Sequence, residues 1–93
     1  MSLKNRDLQI NRYYFYDYGA DSIIICWSGM NQLHPSCNID GSDFSSQSGY
    51  LQSNSHIVEL REATEQEANV LRERMMVNGF NAPSFNSITY NVY

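Results

Sequence analysis

The side chains of this sequence best suited to chemistry are two cysteines and two histidines. Their spacing is C-x7-H-x2-C-x18-H, at Cys26, His34, Cys37 and His56. Structural zinc sites need four such ligands in tetrahedral geometry and usually contain C-x2-4-C or H-x3-5-H pairs. This set contains neither pair. We therefore expect ordinary thiols and imidazoles, with no metal site and no cofactor.

A catalytic nucleophile would need a base and an orienting group beside it. Cys37 and one histidine, His34 or His56, could be arranged in that way, with Asp40 or Asp43 as the orienting carboxylate. The sequence contains no nucleophile elbow, phosphate loop or dinucleotide fingerprint. We expect no catalytic residues and favour a protein that is not an enzyme. A small metal- or thiol-dependent enzyme using His34, Cys37 and His56 is the alternative.

The segment from Ser36 to Gln47 has the spacing of a calcium-binding loop. Its first and last residues are Ser and Gln, however, where such loops carry carboxylates. Only Asp40 remains as a charged candidate ligand on the pattern. The pattern therefore favours an ordinary turn at Asp40-Gly41, in which the Asp side chain accepts a backbone hydrogen bond.

Four tyrosines near the N-terminus are the candidate interaction surface: Tyr13, Tyr14, Tyr16 and Tyr18. Tyrosine offers a large amphipathic area at low rotamer cost, which suits protein recognition. Single-stranded nucleic acid could also stack on these rings, which is the third interpretation. At least half of the aromatic rings of this segment must nevertheless belong to the core.

Charge is distributed unevenly along the chain, whose net charge is −4. Residues 1–16 carry +2, residues 17–59 carry −5 with no Lys or Arg, and residues 60–93 carry −1. A protein that binds duplex nucleic acid normally presents a basic stripe to the phosphates. We therefore expect no duplex nucleic acid as a partner, and the acidic middle favours another protein.

The longest unbroken apolar run, Ile23 to Trp27, is far shorter than the roughly 20 residues that cross a bilayer. Polar residues interrupt the first 18 positions, and no small-residue cleavage site follows an apolar stretch, so we expect no export signal and no membrane partner. A cytoplasmic protein keeps its thiols reduced. We expect Cys26 to be a buried free thiol and Cys37 to be an exposed one.

Ninety-three residues, 42% of them apolar, can build one core, so we expect a single domain over residues 1–93. The polar residues 1–9 are expected to fray. The aromatic run Ile10–Tyr18 predicts a strand, and Ser22–Trp27, apolar on both faces, predicts a central strand that follows it in a hairpin with a loop of three or four residues.

Residues 30–55 are polar and rich in Ser and Asn, and two interpretations stay open. One is a long surface loop. The other is a pair of short strands near 36–40 and 44–52, joined at Asp40-Gly41, and we favour these strands. His56–Leu60 then predicts a further short strand, and the alternating residues 87–93 predict a C-terminal strand.

The clearest helix start in the chain is Thr64, followed three residues later by Glu67 in capping-box spacing. The pattern predicts an amphipathic helix over residues 65–77, which Asn78-Gly79 ends. The positions expected to face the core are Ala68, Leu71 and Met75, with Val70 alongside and Val77 continuing the stripe.

These elements predict an α+β fold, with a small antiparallel sheet of about four to six strands and one helix on one face. One helix cannot cover both faces, so tyrosines on the other face would meet solvent, the Ser-rich segment or a second chain. We predict a small, soluble, acidic protein-binding or regulatory module. It could be a phage or mobile-element accessory protein that modulates a host protein, and it could dimerise through a sheet edge.

Overall fold

A computed structural model of the chain describes residues 8–19, 21–29, 32–47 and 58–85. The fold is α+β, as predicted, and the described residues form five antiparallel strands and one helix. The strands are β1 (Tyr13–Asp17), β2 (Ser22–Cys26), β3 (His34–Asn38), β4 (Ser45–Gln47) and β5 (Glu59–Glu62), and the helix is α1 (Glu65–Val77). The order across the sheet is β4-β3-β2-β1-β5, so β2 is the central strand.

The predicted hairpin of β1 and β2 is confirmed. Asp17 pairs with Ser22, and the amide of Tyr18 donates to the carbonyl of Asp21 at 2.8 Å, which closes a four-residue loop. The strand does not begin at Ile10 as expected. Asn11 has a left-handed φ of 69°, so the preceding residues turn away from an extended course.

The polar region after β2 contains two short strands, as favoured from the sequence. β3 begins two residues earlier than predicted and pairs with β4 through His34 and Gln47. Between them, the carboxylate of Asp40 accepts hydrogen bonds from the amide of Ser42 at 2.9 Å and its hydroxyl at 2.6 Å. This is the turn expected in place of a calcium loop. Residues 48–52 of the predicted second strand lie outside the described residues.

β5 occupies a later position than the predicted strand His56–Leu60. It runs from Glu59 to Glu62 because Arg61 continues the pairing with β1 opposite Phe15, and its guanidinium lies 4.0 Å from the centre of that ring. Residues 56 and 57, residues 1–7 of the segment 1–9 that was predicted to fray, and the predicted strand 87–93 lie outside the described residues.

Helix α1 has the predicted bounds and the predicted cap. The hydroxyl of Thr64 accepts from the amide of Glu67 at 3.2 Å, and the Glu67 carboxylate accepts from the amide of Thr64 at 2.9 Å. Gly79, with φ of +83°, supplies the left-handed residue after the helix. The prediction that Val77 faces the core is wrong. Two residues after the buried Met75, its side chain points to the other side of α1.

Alternation along the strands divides the interior into two groups of side chains, one on each face of the sheet. The helix-side cluster comprises Tyr13, Ile24, Cys26, Cys37, Ala63, Ala68, Leu71 and Met75. The opposite cluster comprises Tyr14, Tyr16, Ile25, Trp27 and Leu60. All of these side chains are buried, so the sheet carries an apolar interior on both faces.

Candidate functional site

The four tyrosines predicted as an interaction surface do not share one face. Tyr13 belongs to the helix-side cluster, where its hydroxyl donates to the carbonyl of Pro83. Tyr14 and Tyr16 belong to the opposite cluster, and Tyr18 is half-buried beside them, its ring 6.2 Å from that of Tyr16. Tyr13, Tyr14 and Tyr16 are at most 3% exposed. That these side chains contact a partner stays a prediction, but three of the rings lie inside the folded chain.

The sheet separates the residues that could have formed a metal or nucleophile site. Cys37 lies opposite Ile24 in the strand register and joins Cys26 in the helix-side cluster. His34 lies on the other face, stacked on Trp27 with ring centroids 4.2 Å apart. His56 is outside the described residues. Among the described residues, no three His, Cys, Asp or Glu side chains are grouped as metal ligands would be.

Both cysteines are free and buried, so the expectation that Cys37 is exposed is wrong. The polar stretch around it forms β3, in which residues 34–37 are covered. Burial raises the pKa of each thiol, Cys26 and Cys37, to about 11. The thiolate is the reactive species, so at neutral pH these thiols are poor nucleophiles and ligands.

His34 is completely buried, and one side of its ring contacts the backbone just after the end of β2. Its Nδ1 accepts from the amide of Ser28 at 2.9 Å, which places the proton of the neutral ring on Nε2. Within the described part of the chain, Nε2 has no hydrogen-bond partner. Burial lowers the pKa of this imidazole, because the charged form would lose its hydration.

Several large exposed apolar side chains lie at the end of α1 and in the turn between β3 and β4, which packs against α1. We call them, together with the half-buried ring of Phe44, the helix-end patch: Ile39, Phe44, Met76, Val77 and Phe80. Val77 is 72% exposed and Met76 is 55% exposed. From the sequence, Val77 was expected in the core and the others were not singled out. The sequence feature that could have identified this patch is that α1 ends on two apolar residues, which Phe80 follows closely.

Two contacts fix the helix-end patch in place by joining the β3–β4 turn to α1. Phe44 meets Phe80 edge to face, with ring centroids 5.5 Å apart. Gly41 lies against the helix, where an added Cβ would stand 3.3 Å from Nε of Arg74 and 3.5 Å from Cγ1 of Val70. With φ of +88°, this close approach favours glycine at position 41. The patch is therefore carried on packed elements.

The exposed charged residues of these two segments, the β3–β4 turn and the end of α1, which we call the rim of the helix-end patch, are mostly acidic. Asp40 and Asp43 are exposed in the turn, and Glu73 is exposed on the last turns of α1. Hydrogen bonds from Ser42, and to a smaller extent the nearby Arg74, lower the pKa of Asp40, so its carboxylate stays ionised well below neutral pH. The arrangement is an apolar centre bordered by negative charge, with Arg74 as the nearby cation.

No family model, curated protein or solved structure matches this chain. In the part of the chain that the structure describes, no helix has the length and apolar composition to cross a membrane.

Proposed function

We propose that this protein is a small cytoplasmic protein-binding module that docks through the helix-end patch. The observation that carries the proposal is the exposure of Met76, Val77 and Phe80 at the end of α1 and of Ile39 in the β3–β4 turn, which packs against the same helix. Apolar side chains grouped on a surface and bordered by polar residues are typical of protein interfaces.

Charge defines the class of partner. The rim residues Asp40, Asp43 and Glu73 outnumber Arg74, and the whole chain carries −4. A complementary surface would have an apolar centre bordered by Lys and Arg, since opposite charges steer association and suppress wrong partners. The partner we propose is therefore a protein with a basic rim around an apolar depression.

Magnitudes favour a weak, salt-sensitive complex. Fully burying a Val, Ile, Phe or Met side chain contributes about 1.5–3 kcal/mol, so four roughly half-exposed side chains contribute about 3–6 kcal/mol. Association costs about 4–15 kcal/mol in lost freedom of motion. Apolar burial alone therefore leaves little surplus, and charge pairs at the rim must supply part of the affinity. Such pairs weaken as salt rises.

The test is a quantitative capture experiment with tagged protein in lysate of the cells that encode it. The variant Ile39→Ser/Val77→Ser removes two exposed apolar side chains, and Val58→Ser is the matched control. Val58 is 65% exposed but precedes β5, at the opposite edge of the sheet from β4. We expect the original protein and Val58→Ser to retain the same partner in equal amounts, and the double variant to retain at least tenfold less of it. The amount of partner that each of the three proteins retains should fall as the salt concentration rises.

Equal retention by all three proteins would contradict docking through the helix-end patch. Light scattering after size exclusion tests the predicted homodimer, which would appear as twice the monomer mass without any captured protein. A nucleic acid in the captured material, or a metal bound at stoichiometry, would favour the single-stranded nucleic-acid or enzyme alternatives. That the chain is a phage or mobile-element protein that modulates a host factor stays a prediction.

A further inference from the structure

A buried imidazole in the opposite face of the sheet has a protonation state fixed by its contacts. His34 is 0% exposed, its ring is parallel to Trp27 within 14°, and its Nδ1 accepts the amide proton of Ser28. A neutral imidazole has one donor and one acceptor nitrogen, whereas both nitrogens of the cation are donors. Only the neutral ring with its proton on Nε2 satisfies the contact with Ser28.

The surroundings of His34 offer little to stabilise a positive charge. The strands beside it, β2 and β4, place only apolar or uncharged polar residues on this face, as judged from the strand register. The titratable or charged side chains that the described residues place on the same face are Tyr14, Tyr16 and Tyr18 of β1 and the ion pair of Arg12 with Glu62. The Glu62 carboxylate is already paired with Arg12 at 3.1 Å.

Protonation would therefore disturb two things. A second N–H, on Nδ1, would point at the Ser28 amide, and a positive charge would enter a buried site in which the described residues already provide no hydrogen-bond acceptor at Nε2. Among the described residues, stacking on Trp27 is a contact that favours a cation. The two donors that would then face one another lie at the end of β2 and the start of β3, so this contact has to separate for the charge to reach water.

We propose that His34 is a pH-sensitive latch: its neutral ring holds the end of β2, at Ser28, against the start of β3, and protonation releases this contact. The proposal concerns the opposite face of the sheet and does not depend on docking at the helix-end patch. The latch would make the folded protein less stable at the pH of mildly acidic compartments or of cytoplasmic acid stress. No other type of side chain titrates in that pH range at its ordinary pKa.

The direction of the effect follows from proton binding in the two states. Burial lowers the pKa of His34 in the folded chain below its ordinary value of 6.5. The unfolded chain then binds more protons than the folded one between the two pKa values. The stabilisation by neutral His34 is complete above pH 6.5, and it is lost as pH falls toward the folded-state pKa. Each pH unit in that window favours unfolding by up to about tenfold.

The test uses Trp27 as a reporter, because it is the single tryptophan of the chain and an imidazolium ring quenches a stacked indole. Emission and thermal denaturation are measured from pH 7.5 to pH 5.0. The variant His34→Gln keeps an oxygen for the Ser28 amide but does not titrate, and His56→Gln is the matched control. As the pH is lowered below 6.5, we expect the tryptophan emission and the melting temperature to decrease in the original protein and in His56→Gln. The melting temperature should decrease by roughly 5 °C. Both quantities should change much less in His34→Gln.

A second measurement keeps the proposal testable if His34→Gln does not fold. Nitrogen-15 spectra of the two imidazole rings, assigned with His56→Gln, report the tautomer and the titration of His34 directly. A proton on Nε2 and a midpoint below pH 6.5 support the latch. A proton on Nδ1, a midpoint at or above pH 6.5, or the same acid response in His34→Gln as in the original protein would overturn it.

Discussion

Two apolar regions of this molecule, the opposite cluster and the helix-end patch, differ in whether a partner could reach them. The opposite cluster is built mostly from aromatic side chains and is buried, with Tyr16 at 0% and Trp27 at 2% exposure. The helix-end patch is built mostly from aliphatic side chains and is open, with four side chains between 41% and 72% exposed. Aromatic enrichment in β1 therefore marks the interior, and the end of α1 marks the surface at which we propose that a partner binds.

The physical reason lies in how each region is covered. Strands β1 and β2 carry apolar side chains on both faces, so both faces need to be buried for the sheet to be stable. A helix needs only one buried side. After the buried Met75, the last two side chains of α1 point away from the sheet, so the sheet does not bury Val77.

The largest effect that separates the two regions is expected from Tyr16→Ala in the opposite cluster. Removing a fully buried aromatic ring costs about 3–5 kcal/mol, a large share of the stability of a domain of this size. We expect a melting temperature lower by roughly 12 °C or more, measured by circular dichroism. Tyr18→Ala, at a half-buried ring, serves as comparison and should lose clearly less. A Tyr16→Ala protein as stable as the original would place this ring at the surface.

The next largest effect is expected from Leu71→Ala, on the side of α1 that faces the sheet. Leu71 is 0% exposed in the helix-side cluster, and such truncations cost about 2–5 kcal/mol, depending on how far the cavity collapses. Urea unfolding measures the loss. Met76→Ala, in the same helix but 55% exposed, is the control and should stay within about 0.5 kcal/mol. Equal losses for both variants would show that α1 is rotated about its axis, so that Leu71 does not face the sheet.

A smaller effect is expected from Thr64→Ala at the start of α1. The variant removes the hydroxyl that accepts the Glu67 amide proton, which costs about 1 kcal/mol. Gln66→Ala, at an exposed position of the first turn, is the control and should be close to neutral. Urea unfolding again measures both. If Thr64→Ala is neutral as well, the capping box does not contribute to stability in solution.

The smallest effect on stability is expected from Val77→Ser in the helix-end patch. Serine and valine have similar helix propensities, and the side chain is mostly exposed, so the free energy of unfolding should change by no more than about 0.5 kcal/mol. Thermal denaturation checks this. A loss as large as that of Leu71→Ala would mean that Val77 is covered and would remove it from the patch.

Local chemistry made part of the fold predictable. The capping box at Thr64, the left-handed Gly79 and the apolar spacing fixed the bounds of α1, because each depends on residues within one or two turns. The hairpin of β1 and β2 was predictable for the same reason. The turn at Asp40 followed from the tendency of Asp to accept a backbone hydrogen bond from a residue two positions later.

Features that depend on distant partners were not predictable. β5 extends to Glu62 because Arg61 meets Phe15 on β1 and Glu67 on α1, neither of which is visible from the local pattern. Cys37 is buried because β3 lies beside β2 and beneath α1. The helix-end patch required knowledge that the β3–β4 turn packs against Val70 and Arg74, which brings residues of two separate segments to one end of the molecule.

Docking through the helix-end patch is tested most directly by a chemical-shift titration of the isotope-labelled protein with its captured partner. We predict that the backbone amides that shift most lie in residues 39–44 and 73–80, and that raising the salt concentration weakens the response. Changes concentrated in β1, around Tyr13 to Asp17, with residues 73–80 unaffected, would contradict docking through the helix-end patch and would return the interaction to the tyrosine strand.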